Sequence, residues 1–489
     1  MNLHFKKGTL VGAAELSANA SSNTGDAAVT QGMTSVCLIL LLLSAAAEGI
    51  VGNVAKLMWL LSLVPLTVMN PGAGLGIYVA SAAIYSAPYV YGMAGQSSRF
   101  GSLFERPDNF ALGGTLLFWM LCFRRRLLWR SWGLAVLISM FLLITFAHAT
   151  ILGLMTRTNF AVFMRMFGFP LILFLLIVGS PVSGGYMRAF FATVMTLTVY
   201  LAAISVLEGI DLRALIIPTW VTDPQLNETI GTNRSGGTFL QSEWNGFALC
   251  LGFCIMVGLL LMDNRRYGFL KYAAVLLCLA AIYFTFTRAA WLATAAASLL
   301  LLLRSPQPRD RLHLKRIFSI AVIGIALFVL ILFPGGTAKK RTADTDTVYF
   351  RINLWMAGVQ MAMNRPILGH GFGQFKEGVV DYHEDTSLVP FANLPEEGMV
   401  AHNTMLNILV EQGGLGLLLY LMIFIQIYLR ARRASIALSP KAGQIWVTAF
   451  TLVYIINTQF IVAYEPTTNF IYYGAMGLLI GTENDGAGS

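Results

Sequence analysis

The sequence has a low charge content for its length. Only 12% of its 489 residues are Asp, Glu, Lys or Arg, whereas 56% are hydrophobic. An ordinary soluble domain is excluded, because its core could not bury that much apolar surface. Apolar runs of about 20 residues recur along the chain, which is the length that crosses a bilayer as an α-helix, whereas a transmembrane barrel would show short alternating segments. The composition therefore predicts an all-α integral membrane protein.

The chain is also short of cysteine and of common cofactor-binding motifs. Neither a phosphate-binding loop followed by lysine nor a metal-ligand spacing of His, Cys and carboxylate residues occurs in the sequence. We therefore expect no cofactor and no metal. The five cysteines all lie inside apolar runs, which favours packing roles over a disulfide framework: Cys37, Cys122, Cys250, Cys254 and Cys278.

Basic residues cluster in short loops between the apolar runs. The net charge of +9 could suggest nucleic-acid binding, but such clusters are typical of cytoplasmic loops, so we expect no nucleic-acid partner. With the N-terminus inside, the clusters at 124–130, 265–271, 304–316 and 430–441 all fall on the cytoplasmic side. Two long connections, near 209–243 and 333–411, then fall outside, and long external loops often carry function.

The apolar runs predict a polytopic bundle of about 12–14 transmembrane helices with a large, partly helical external loop. We expect a disordered cytoplasmic tail at 1–32 with no cleaved signal peptide. A transmembrane bundle over 33–333 would include the external loop 209–243. The remaining expected units are a periplasmic loop with the catalytic segment at 334–411, C-terminal transmembrane helices at 412–482 and a tail at 483–489. The predicted spans are 33–51, 54–69, 74–94, 109–123, 133–154, 160–179, 186–207, 244–262, 269–287, 288–303, 315–333, 412–429, 443–461 and 466–482.

The second external connection has a pattern of its own. Apolar residues recur at helical spacing over 348–363, which predicts a helix lying on the membrane and ending before Pro366. Gly369, Gly371 and Gly373 then allow a tight turn or a close approach to a ligand. Ionisable residues of the spans map to outer helix ends, which favours a site at the outer leaflet over a transport site at the midplane.

Three arginines are candidates for binding a diphosphate. Arg288 lies at a predicted tight turn between two spans, Arg351 lies on the surface helix, and Arg234 lies in the external segment NRSGGTF. A guanidinium group offers a planar fork that matches phosphate oxygens. A lone arginine is usually a surface or interface residue, but three of them near one external site would suit a diphosphate.

Two histidines lie in the second external connection. His402 is the candidate for proton transfer, because its ordinary pKa is near neutrality and it opens a helix at the boundary of lipid and water, with Glu411 on the same segment. The alternative is an interfacial histidine that satisfies a backbone group. His370 lies between glycines, and both a structural and a substrate-contacting role are open for it.

The order and spacing of these motifs resemble the O-antigen ligase and polymerase superfamily of bacterial membrane glycosyltransferases. The family ligases carry His-any-Ser, six residues and Glu-any-Gly, which His402–Thr404 and Glu411–Gly413 match with threonine in place of serine. The family's RGGTF-like segment followed by Asn resembles 234–245, and its Ser-Arg segment resembles Thr287–Arg288. Its external-loop helix and glycine turn resemble 351–371. The motif resemblance covers about residues 230–420.

The resemblance implies a reaction. An undecaprenyl-diphosphate-linked glycan would be transferred to an acceptor hydroxyl at the periplasmic face of the bacterial inner membrane, with inversion and without a metal, by a GT-C-like fold. The acceptor would be a glycan or a lipid-linked molecule, in lipopolysaccharide or exopolysaccharide biosynthesis, with membrane lipid around the site and chain-length regulators or export proteins as candidate partners. The implied catalytic residues are His402, Arg288 and Glu411, and the implied substrate-binding residues are Arg234, Arg351, His370, Asn245 and Asn403.

Other functions are open at this point. About fourteen spans favour a polymerase, whereas the histidine pattern favours a ligase. A transporter or flippase of lipid-linked solutes would place polar groups at the midplane and show an inverted repeat. A non-catalytic component of a polysaccharide export complex would use the external loop only to bind partners.

Overall fold

The structure is a computed structural model that describes residues 29–44, 49–85, 132–179, 184–223, 234–262, 268–304, 346–382, 399–438, 441–462 and 466–482. The predicted spans 109–123 and 315–333 lie outside these residues. So do the C-terminal tail, residues 1–28 of the N-terminal tail, and the basic residues of 124–130, 265–266 and 309–316.

The described residues form helices and contain no strand, which confirms the all-α polytopic bundle. The first described helix begins at Val29, inside the predicted tail. The helices are α1 Val29–Ser44, α2 Gly49–Met69, α3 Pro71–Ile84, α4 Trp132–Ile151, α5 Arg157–Phe163, α6 Phe169–Val178, α7 Gly184–Gly209, α8 Ser242–Met262, α9 Gly268–Phe284, α10 Arg288–Arg304, α11 Asp346–Asn364, α12 Gln374–Gly378, α13 Thr404–Leu438, α14 Ala442–Thr458 and α15 Pro466–Thr482.

Within the described part of the chain, five helical segments are long and apolar enough to cross a membrane: Trp132–Ile151, Arg157–Val178, Gly184–Gly209, Ser242–Leu259 and Thr404–Ile436. The second of these joins α5 to α6 through a π-helical turn at Met164–Gly168. Shorter apolar helices pack among them. The protein is therefore a membrane protein, and the total number of spans stays a prediction.

Two short helices form the centre of the bundle. Every residue of α3 is buried, and so are residues 466–481 of α15. Small residues on α3 allow close packing, since a Cβ at Gly76 would lie 2.6 Å from the side chain of Thr193 on α7. The α15 helix packs against α3, α6, α7, α8 and α13, so it joins the two ends of the sequence.

Several helix ends meet at one end of the bundle. The α9 helix ends at Phe284 and α10 begins at Arg288, which confirms the predicted tight turn between them. The α8 and α13 helices begin at this same end, and α14 finishes there. The α11 helix matches the helix predicted over 348–363, although its position relative to the membrane stays a prediction.

A kink in α13 separates its first turns from the long apolar part. Gly413 has φ 66° and ψ −173°, a conformation that only glycine adopts readily. A Cβ at this position would collide with the backbone of Ile367. The backbone N–H of His370 and Gly371 donate to the carbonyls of Val410 and Glu411, at 2.9 and 2.8 Å. Backbone hydrogen bonds therefore join the glycine turn, residues 369–373, to the part of α13 just before the kink.

Candidate active site

A cavity of about 460 Å³ opens where these helix ends meet. Among the described residues, its charged lining consists of Arg234, Arg288, Arg351 and Glu243. Aromatic and aliphatic side chains form its other walls: Phe286, Trp291, Leu292, Trp355, Phe460 and Ile461. The cavity thus combines a cationic side with an apolar side, a combination that suits an anionic headgroup attached to an apolar or sugar moiety.

Arg234 is held by the turn between α9 and α10. Its Nε donates to the carbonyl of Thr285 at 3.4 Å, and its Nη2 donates to the hydroxyl of Thr287 at 3.4 Å. The same Nη2 forms an ion pair with Glu243 Oε1 at 3.0 Å. Both side chains stay partly exposed, at 18% for Arg234 and 24% for Glu243. The guanidinium group is therefore fixed in position and still reaches the cavity.

A buried carboxylate holds the loop that carries Arg234. Glu208, at the end of α7, accepts hydrogen bonds at Oε2 from the Ser235 hydroxyl at 2.7 Å and from the Gly237 N–H at 2.8 Å. Asn245 donates through Nδ2 to the Ser205 hydroxyl at 2.8 Å and to the carbonyl of Ser235 at 3.3 Å. Gly237 has φ 55°, and a Cβ there would lie 2.8 Å from Asn245 Oδ1, so only glycine fits.

Arg288 and the start of its helix face the cavity together. Thr287, Arg288 and Ala289 all line it, and the Arg288 side chain is exposed. The first N–H groups of an α-helix and its dipole attract anions. A cation at the same position is unfavourable by about 0.3–1 kcal/mol unless an anion lies nearby. This arrangement supports an anion-binding role.

Arg351 lies on α11, close to the other charges. Burial lowers its pKa, the Glu243 carboxylate opposes this, and the positive charges of Arg234 and Arg288 lower it further. The guanidinium group still stays protonated at neutral pH, because the ordinary pKa of arginine lies far above neutrality. Three cations that repel one another and share one carboxylate leave the cavity positively charged.

His402 lies beside this cavity without lining it. The carbonyl of Ala401 accepts a hydrogen bond from Trp355 Nε1 at 2.9 Å, and the hydroxyl of Thr404 donates to the carbonyl of Ile461 at 2.9 Å. Trp355 and Ile461 both line the cavity, so the segment is fixed on either side of the histidine. Burial and then the charge of Arg351 lower the pKa of His402 to about 4, against the opposing effect of Glu243. The imidazole is therefore neutral at neutral pH.

Strained backbone is concentrated around this cavity. Among the described residues, four that are not glycine have positive φ, and three of them lie here: Leu240 at 55°, Phe286 at 46° and His402 at 47°. Such conformations cost about 1–3 kcal/mol each and are commonly kept at functional sites. The cost is consistent with a geometry that is held for binding or chemistry.

Four residues predicted for the site lie elsewhere or act on the backbone. Glu411 is buried and accepts from the Phe375 N–H at 3.3 Å, at the glycine turn, and it does not line the cationic cavity. His370 Nε2 contacts the carbonyl of Met361 at 2.8 Å. Asn403 Oδ1 caps α13 by accepting from the Leu406 N–H at 3.0 Å. Asn245, described above, supports the Arg234 loop. Their predicted catalytic or binding roles stay predictions.

The site residues predicted from the sequence did not include Glu243, Glu208 or Asn457. Asn457 lines the cavity from the last turn of α14. Glu243 stands nine residues after Arg234, and an acidic residue so near a candidate phosphate-binding arginine was the available signal. For Glu208 the signal was an ionisable residue at the outer end of a span. Asn457 had no signal, because an asparagine near a helix end is ordinary.

Residues 273–421 match the family model described as O-antigen ligase. This match supports a relationship between the chain and the O-antigen ligase and polymerase superfamily. No curated protein matches the chain. The match supports a glycosyltransferase-type enzymatic role in polysaccharide biosynthesis, of the O-antigen ligase or polymerase type, in a membrane and with lipid-linked glycans as substrates.

The segment that matches the family model contributes part of the cavity. Arg288, Arg351 and His402 lie within 273–421. Arg288 belongs to α10, Arg351 belongs to α11, and His402 lies just before α13. Arg234 and Glu243 lie before the matched segment and reach the same cavity from the loop that precedes α8. The cationic cavity is therefore built by the matched segment together with an earlier part of the chain.

Proposed function

We propose that this protein transfers a glycan from undecaprenyl diphosphate to an acceptor hydroxyl, at the periplasmic face of the bacterial inner membrane. One observation carries the proposal. Arg234, Arg288 and Arg351, which are far apart in the sequence, line one cavity beside His402. Guanidinium groups bind phosphate oxygens in a planar, two-pronged geometry, and three of them match the several oxygens of a diphosphate.

The chemistry follows from these groups. The acceptor oxygen forms a bond to the anomeric carbon while the bond from that carbon to the diphosphate oxygen breaks, and its electron pair leaves with the diphosphate. The hydroxyl proton goes to the neutral imidazole of His402. The three arginines stabilise the extra negative charge on the leaving group. Attack opposite the leaving group inverts the anomeric carbon. Because guanidinium groups supply this stabilisation, the reaction needs no metal ion.

The distribution of basic residues supports a periplasmic site. The cavity lies at the first turn of α10 and the last turn of α14. The opposite ends of these helices carry Arg304 and Lys441, and the far part of α13 carries Arg430, Arg432 and Arg433. Basic residues mark the cytoplasmic side of membrane proteins. The cavity therefore belongs on the other side, where lipid-linked glycans are polymerised or attached.

Substitution of His402 tests the enzyme proposal. We expect the His402→Ala protein to insert and fold normally but to leave cells without the polymer or the ligated product. His148→Ala is the matched control, because His148 is also partly buried and does not line the cationic cavity. A transporter or an export scaffold would keep its function in the His402→Ala protein, and that result would contradict the proposal.

Surface glycans of a strain lacking the protein distinguish the two acceptor types. Loss of long chains with accumulation of single lipid-linked repeats indicates a polymerase. Loss of attachment with long chains retained on the carrier lipid indicates a ligase. Normal surface glycans in that strain would contradict both.

A further inference from the structure

One carboxylate stands inside a cavity that otherwise suits an anion. Glu243 lines the cavity and pairs with Arg234 at 3.0 Å, and its other oxygen accepts from the Ser242 hydroxyl at 3.2 Å. Carboxylate and phosphate repel each other, so Glu243 must weaken the binding of any diphosphate. The presence of Glu243 is therefore not explained by diphosphate binding alone.

The net charge of the cavity supplies that explanation. Among the described lining residues, three arginines and one glutamate give a charge of about +2 at neutral pH. A glycosyl lipid diphosphate is a diester with a charge of about −2. After transfer, the released lipid diphosphate ends in a terminal phosphate with a second pKa near 6, and it carries about −3. The cavity thus matches the donor and, once His402 has released the proton that it accepted, carries one positive charge too few for the product.

We propose that Glu243 sets the cavity to the charge of the intact donor and so promotes release of the lipid diphosphate product. The inference rests on the proposed function, because it assumes a diphosphate donor. Without Glu243 the cavity would carry about +3 and would retain the product. The three arginines can then stabilise the negative charge that develops on the leaving group during transfer. The Glu243 carboxylate weakens the binding of the product, so that the product does not block the site.

The experiment compares two soluble short-chain probes. Farnesyl diphosphate has the charge of the product, and its glucosyl diester has the charge of the donor. Dissociation constants for both are measured on the full-length protein in nanodiscs. The variants are Glu243→Gln, which removes the charge, and Glu243→Asp, which keeps it. Glu377→Gln is the control, because Glu377 is exposed, does not line the cavity, and accepts a hydrogen bond from Gln374 of its own helix at 3.3 Å.

We expect Glu243→Gln to bind farnesyl diphosphate more tightly, by on the order of 10-fold relative to its effect on the diester. Glu243→Asp and Glu377→Gln should keep the wild-type ratio. The wild-type protein should itself bind farnesyl diphosphate, the monoester, no more tightly than its glucosyl diester. That comparison needs no variant, so it tests the inference even if Glu243→Gln does not fold.

Three results would overturn the inference. Equal changes for both probes in Glu243→Gln would mean that Glu243 only orients Arg234. A strong preference of the wild-type protein for the monoester would show that the charges are not matched to the donor. Unaltered binding of both probes in Glu243→Gln, with loss of glycan transfer, would make Glu243 a proton acceptor. Failure of the wild-type protein to bind either probe, or unchanged binding in Arg288→Gln, would instead refute the diphosphate site itself.

Discussion

Glu208 and Ser235 are joined by a 2.7 Å hydrogen bond, although 27 residues separate them in the sequence. The same carboxylate oxygen accepts from the Gly237 N–H, so one buried side chain fixes two points of the loop that carries Arg234. Glu208 does not line the cavity. Its effect on the site must therefore pass through the position of Arg234.

Removing the Glu208 carboxylate should weaken diphosphate binding. In Glu208→Ala, the Ser235 hydroxyl and the Gly237 N–H lose an acceptor, and a buried group left without its partner costs about 1–3 kcal/mol. We expect lower thermal stability and weaker binding of farnesyl diphosphate. Glu208→Gln keeps an oxygen acceptor and should lie between wild type and alanine. A change in stability alone, with unchanged probe binding, would show that Glu208 does not position Arg234.

Arginine-to-lysine substitutions test the geometry of the cationic side. Lysine keeps the charge and loses the planar fork, so Arg288→Lys and Arg351→Lys should each lower kcat/KM for glycan transfer by about 10- to 100-fold. Arg213→Lys is the matched control, because Arg213 pairs with the exposed Asp211 at 2.9 Å outside the cavity. Activity that survives both lysine variants would mean that charge alone suffices.

The lowered pKa of His402 should determine how kcat/KM depends on pH. A free-enzyme pKa of about 4 keeps the imidazole neutral, so kcat/KM should stay high down to about pH 5 and fall only as the pH approaches 4. A bound diphosphate favours the protonated ring, so the acid limb of kcat should lie at higher pH. An acid limb of kcat/KM near 6.5, the ordinary histidine value, would contradict the burial of His402 beside Arg351.

The lowered pKa of His402 should also affect how folding stability depends on pH. Since the folded pKa is below the unfolded value of 6.5, the unfolded chain binds more protons between pH 6.5 and pH 4. The stability contribution is present above pH 6.5 and is lost as the pH falls towards 4. His402→Ala should reduce the steepness of this loss, as measured by thermal unfolding in detergent across that range.

The kink at Gly413 should tolerate no side chain. Gly413→Ala combines a positive φ with a collision against the Ile367 backbone, so we expect a loss of about 1–3 kcal/mol or more. Gly133→Ala is the matched control, because Gly133 lies in α4 and a Cβ there meets no atom within 4 Å. Thermal unfolding of both variants measures the difference. Equal melting temperatures would show that the glycine turn and the kink are not coupled.

Short-range patterns in the sequence were sufficient to predict several structural elements. Helical spacing over 348–363 predicted a helix that the structure has at Asp346–Asn364. The absence of polar linker residues between two apolar runs predicted the turn before Arg288. These features depend on neighbours in the chain, so periodicity and composition capture them. By contrast, the sequence placed Glu411 with His402, whereas the structure has Glu411 at the glycine turn. Glu411 lies about two helical turns beyond the first residue of α13, beside the segment that carries the glycines.

Composition and hydrophobic patterning were enough to predict a membrane-embedded helical protein with ionisable residues at the ends of its spans. Hydrophobic run length and the cost of charge in lipid dictate that much without tertiary information. The sequence did not reveal that Arg234, Arg288 and Arg351 share one cavity, that Glu243 pairs with Arg234 there, or that Glu208 holds the loop that carries Arg234. These residues meet because distant helices pack together, and packing between distant segments leaves no periodic trace in a single sequence.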